Sequence, residues 1–87
     1  MTNLVLPHAF VERHGDGFVV VLLKPDGERN YYVATGVDSD KRVYPYVCFV
    51  PEKAKIFGLE DTAKTVAGDM TAFLRKEYRN LVTWHRM

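Results

Sequence analysis

A single cysteine, Cys48, serves all 87 residues, so no internal disulfide can staple the fold. That excludes the disulfide-dense scaffolds of small secreted domains and implies a reducing, cytoplasmic setting. No apolar stretch approaches the roughly 18 residues of a membrane span, and the opening Met1-Thr2-Asn3-Leu4-Val5-Leu6-Pro7 is too short and too uncharged for a signal peptide. No membrane partner is expected. Excess charge is also missing: the formal net charge is +1, which removes the general drive toward tight, non-specific nucleic-acid binding and leaves room only for a local basic patch. There is no internal repeat. The apolar fraction of 47% and charged fraction of 26% belong to an ordinary globular chain, here one domain spanning 1–87.

Catalytic groups are equally sparse. His8, His14, His85 and Cys48 form no constellation, and neither a His-x-x-x-His nor a paired-cysteine spacing is present to build a metal site. Cys48 lies between Val47 and Phe49, where a thiol behaves as a small buried hydrophobe. No glycine-rich loop leads into a helix with the lysine that phosphate binding needs. The chain is therefore expected not to be an enzyme, with no catalytic residue, metal or cofactor assigned.

What the sequence does contain is the apolar run Phe18-Val19-Val20-Val21-Leu22-Leu23, bounded by Gly15-Asp16-Gly17 and Pro25-Asp26-Gly27. As a strand it points Phe18, Val20 and Leu22 one way and Val19, Val21 and Leu23 the other, so both faces are apolar. One helix can cover one face. The other calls for chain ends, a second copy of the chain or a different macromolecule.

Around this run the pattern predicts a first strand over about 9–14, a third over 29–35 and a fourth over 42–50. Pro45 places the fourth strand at an edge or interrupts it. Pro51 opens a short helical turn over 51–57, ended by Gly58. The main helix begins near Glu60 or Asp61, with Ala63, Val66, Ala67, Met70, Phe73, Leu74 and Tyr78 as its apolar stripe, which Leu81 can continue. Acids at its start and Arg75, Lys76 and Arg79 at its end suit the helix dipole. Residues 81–85, β-branched and aromatic, read as a short closing strand. Gly68 interrupts the helix, either for close packing, as an exposed tolerance or as a partner contact. The fold class is α+β: an antiparallel β-meander of three to four strands packed by one long C-terminal helix.

Three stretches carry a resemblance: Tyr31-Tyr32-Val33 after a Pro-Asp-Gly turn, then Lys53-Ala54-Lys55-Ile56-Phe57, then Leu59-Glu60-Asp61-Thr62-Ala63 opening the helix. Over about residues 17–78 this order resembles small phage accessory proteins built as a β-meander followed by one helix. The resemblance implies a phage-encoded inhibitor or modulator of a host factor, such as a defence complex, acting in the host cytoplasm. A similar order occurs in the arm-type DNA-binding modules of phage integrases, but their strongly basic sheet is lacking here.

Tyrosines supply large contact area with a polar tip, and Tyr31-Tyr32 and Tyr44-Pro45-Tyr46 fall on adjacent strands. Parity facing the helix is not fixed by sequence; we assign Tyr32, Tyr44 and Tyr46 to the outward face. With Arg75, Lys76 and Arg79 they make the candidate partner-binding set. The expected function is non-enzymatic protein binding by surface occlusion, with a homodimer through a sheet face compatible with it. The alternative is a small nucleic-acid-binding module, tyrosines stacking on bases and Arg42, Arg75, Lys76 and Arg79 meeting phosphates. Residues 42–49 resemble the aromatic strand of RNA-recognition domains, though Pro45 replaces the glycine context expected there and that fold's first helix is missing.

Overall fold

Two tight turns set the register of the sheet. Gly15, at φ 61°, lies in the turn joining β1 (His8–His14) to β2 (Gly17–Leu23), and His14 pairs with Gly17 across it. Gly27, at φ 90°, donates its N–H to the Lys24 carbonyl, and the Asp26 carboxylate accepts the Glu28 N–H at 2.8 Å, turning the chain into β3 (Arg29–Val37). β4 (Val43–Cys48) follows, then a single 3₁₀ turn at Pro51–Lys53 and the helix α1 (Glu60–Lys76). The computed structural model describes residues 7–37, 39–41 and 43–76. The strands form one antiparallel sheet in the order β1-β2-β3-β4, the expected meander with one helix across it. The closing strand expected at 81–85 lies outside the described residues, as do Tyr78 and Arg79.

The helix packs on β1 and β2. Ala63, Ala67, Met70 and Leu74 are buried against Val20, Leu22, Tyr32, Val47 and Phe57, with Val66 and Phe73 at the flank, so the three-and-four spacing of the stripe does place it on the sheet. Among the described residues no helix is long and apolar enough to cross a membrane.

The opposite face is buried without a second copy or another macromolecule, and the chain ends, the third cover expected for it, lie outside the described residues. Val19 and Val21 are fully buried within one chain, grouped with Tyr31 and Cys48 and flanked by Phe10, Val33 and Ala54. Arg29 contributes from β3: its guanidinium reaches Glu12 on β1 at 2.6 Å and lies 5.6 Å from the Phe10 ring centre and 5.9 Å from that of Tyr31. A long side chain laid over apolar neighbours shields them from water while its head stays half-exposed.

A second correction concerns residues 51–57. Helical geometry stops at Lys53, and the chain then runs extended beside β2 and β3. The Lys55 N–H donates to the Tyr32 carbonyl at 2.9 Å, and Phe57 and Phe18 exchange two backbone bonds of 2.8 and 2.9 Å. These strand-edge bonds are worth more to residues 55–57 than one further helical turn, because β2 and β3 would otherwise leave the same groups unpaired.

Both outer strands are blunted. Alternation from the hairpin turns the main-chain groups of Ala9 outward. Thr71 of α1 satisfies both, accepting the Ala9 N–H at 2.8 Å and donating to its carbonyl at 3.1 Å. On the other side Pro45 sits in the edge strand β4, where a missing N–H costs least, as the sequence requires.

Close approach makes Gly17 sensitive: a Cβ there would lie 2.6 Å from Ile56 Cγ2 and 2.9 Å from the Phe57 carbonyl oxygen. Gly68 is the converse, on the exposed side of α1, where an added methyl group would meet nothing within 4 Å. Gly17→Ala is expected to lower stability by about 1–3 kcal/mol and Gly68→Ala to raise it by up to about 1 kcal/mol, both read from urea midpoints.

Candidate functional site

The tyrosines of β4 are placed by strand parity and by a bulge. Tyr32 pairs with Val47 and Ala34 with Tyr46, so Val33 is the extra residue on β3 and the side-chain order of the two strands shifts there. Val47 faces α1 and Cys48 faces away from it. Alternation therefore sends Tyr46 and Tyr44 to the face away from the helix, as assigned from the sequence.

Tyr32 is corrected. Its ring is 9% exposed and belongs to the helix-side core, stacked 6.1 Å from Phe57, with its hydroxyl bonded to that of Thr35 at 2.7 Å. The physical reason is its pairing: the residue opposite Val47 must share the face of Val47. Tyr31 takes the other face and is buried under Arg29.

Tyr44 and Tyr46 form a pre-set aromatic unit. Their rings lie 5.1 Å apart at 60°, their hydroxyls are 2.7 Å apart in a mutual hydrogen bond, and both are half-buried. Gly36, the cross-strand partner of Tyr44, makes room for them: a Cβ there would collide with the Tyr46 ring and come within 2.8 Å of Tyr44 Cζ. Such a pair presents flat apolar area and polar tips with little rotamer freedom left to lose on association.

Arg75 and Lys76 are exposed in the last turn of α1, where they complement the dipole. They project from the helix layer, on the side of the sheet opposite Tyr44 and Tyr46. The six sequence candidates thus divide into a tyrosine pair on one face, a basic helix end on the other, Tyr32 in the core, and Arg79 outside the described residues. Arg42 of the nucleic-acid alternative is likewise outside them.

Sequence reasoning missed the link between β4 and α1, where Phe49, Val50, Ile56 and Leu59 are all exposed. Val50 reads as strand, on the same parity as Tyr44 and Tyr46, and Ile56 as part of a helical turn, and neither was among the candidate residues. An available signal was the failure of this stretch to keep either a two-residue or a 3.6-residue period. All four fall in the one connection between β4 and α1.

The remaining reactive group is quiet. Cys48 is buried, its thiol donates to the Val50 carbonyl at 3.1 Å, and burial pushes its pKa up. Arg29 is held in its charged form chiefly by Glu12, with Tyr31 adding to it. No group of three or more metal-ligating side chains occurs among the described residues.

The folded thiol therefore resists ionisation that the unfolded chain undergoes near pH 8.5. Above that pH the unfolded state holds fewer protons than the folded one, so stability from Cys48 is intact at neutral pH and falls as pH rises toward the folded pKa. Disulfide-exchange reagents at pH 8 are expected to label folded Cys48 at least about tenfold more slowly than the urea-unfolded chain. Neither a family model nor a curated protein nor a solved structure matches this chain.

Proposed function

We propose that the chain is a non-enzymatic binding protein that occludes a surface of a protein partner with the Tyr44–Tyr46 end of its sheet. The observation that supports it is the tyrosine pair itself, held over Gly36, bonded hydroxyl to hydroxyl and facing away from the helix. Exposed Phe49 and Val50 follow directly after β4 in the chain. Arg75 and Lys76 form a separate, second contact region.

The resemblance to small phage accessory proteins extends the proposal to an inhibitor or modulator of a host factor, a defence complex being the natural target. Occlusion needs no catalytic group, only a rigid surface larger than the partner's own ligand contact. A sheet-face homodimer loses its main ground, since β2 is already covered on both faces within one chain. With both sheet edges blunted, association through faces is favoured over strand addition.

The test is quantitative binding to a partner isolated on the immobilised wild-type protein. Tyr44→Ala together with Tyr46→Ala is expected to weaken that affinity at least tenfold, and Arg75→Glu by a smaller factor, with folding checked by circular dichroism. Salt should change the affinity little. Full affinity in the double variant would reject the tyrosine surface, and a steep loss of binding with salt would favour a nucleic-acid ligand instead.

A further inference from the structure

The β2–β3 ladder has three residue pairs, Val21 with Tyr31, Leu22 with Asn30 and Leu23 with Arg29, closed at its turn by the Lys24 N–H donating to the Glu28 carbonyl, whereas β1 pairs along the whole of β2. Beyond Val21 the two strands part, and residues 55–57 fill the gap through their bonds to Tyr32 and Phe18. The middle pair of the short ladder carries Asn30. Its side chain is fully buried, and neither the amide nitrogen nor the amide oxygen has a hydrogen-bond partner among the described residues. Alternation turns it to the helix side, with its partner Leu22. A buried amide without a protein partner carries a penalty that exposure to bulk water relieves.

Its neighbour acts in the opposite sense. Arg29 turns to the other face, reaches across β2 and fastens β3 to β1 through Glu12 and the ring of Phe10. Consecutive residues of β3 therefore hold the junction closed on one face and weaken it on the other. The backbone of α1 lies over β1 and β2, and the helix meets the β3–β4 hairpin through the side chains of Tyr32 and Val47 in the shared core.

The geometry points to a latched seam: the β3–β4 hairpin separates from β1, β2 and α1 along the Leu22–Asn30 ladder as a step short of global unfolding, resisted by the Arg29–Glu12–Phe10 latch and promoted by Asn30. Such partial opening of a cooperative unit is an ordinary mode of native proteins. Here its line is set by a three-pair ladder, an orphaned amide and a surface clasp that spans it. Opening would uncover the main-chain edge of β3 and the apolar residues of both clusters that meet at β2.

Native-state hydrogen exchange of the full chain, resolved by NMR, tests this. Strand alternation makes Leu22 and Asn30 exchange bonds across the seam, while Phe10 and Val21 exchange theirs within the first hairpin. The seam amides are expected to show protection factors at least about tenfold lower than those of Phe10 and Val21. Asn30→Leu should raise seam protection about tenfold or more while changing Phe10 and Val21 less, and Arg29→Ala should lower it several-fold. Equal protection at the two ladders in the wild type, or an Arg29→Ala variant that changes both ladders alike, would overturn the seam. If Asn30→Leu fails to fold, the wild-type comparison and Arg29→Ala still decide.

Discussion

Burial of both faces of β2 is the constraint on which the other elements depend. Val20 and Leu22 need the helix, and Val19 and Val21 need something of equal apolar area on the other side. At roughly 25 cal/mol per Å² removed from water, fully burying a side chain of this size contributes about 1.5–3 kcal/mol, so leaving either face wet would remove much of the stability open to so small a domain. The chain meets the second need with Phe10 from β1, Tyr31 from β3, Cys48 from β4 and Ala54 from the link that follows, with Arg29 laid over Phe10 and Tyr31. Residues 55–57 then pair with the inner edge of β2 where β3 has moved away, and Gly17 is the residue that lets them approach.

That arrangement determines which surface is left over. Because β2 is covered without a partner, the surface proposed for recognition lies instead at the far end of the sheet, where Tyr44 and Tyr46 stand over Gly36; the β4–α1 link exposes Phe49, Val50, Ile56 and Leu59 as well. Thr71 occupies the main-chain groups of Ala9 on the β1 edge and Pro45 weakens β4 as a template, so both outer strands are poorer templates for strand addition.

Much of this was legible in local patterns. The run 18–23 between two glycine turns gives β2 and its two apolar faces, and the spacing from Ala63 to Leu74 gives the helix and the face it buries, because each signal lies within a few residues of chain. Long-range pairing was not legible. The face taken by Tyr32 follows from its pairing with Val47 and from a bulge at Val33, neither of which has a local signature. Residues 55–57 carry apolar and basic side chains compatible with a helical turn, and only the parting of β2 from β3 makes extended backbone the better choice. Arg29 reads as a solvated charge until Glu12 and Phe10 are brought beside it from another strand. Of the candidate site, parity within a single strand puts Tyr44 and Tyr46 on one face, whereas the choice of that face and the exposure of the β4–α1 link are products of tertiary packing.

If one chain covers both faces of β2 without help, the folded protein has no need of a second copy. Sedimentation equilibrium over a wide concentration range tests this most directly. A constant mass matching the 10.0 kDa monomer is the predicted result; a dimer that separates only as the chain unfolds would contradict it, because it would show that the second face is completed by another copy.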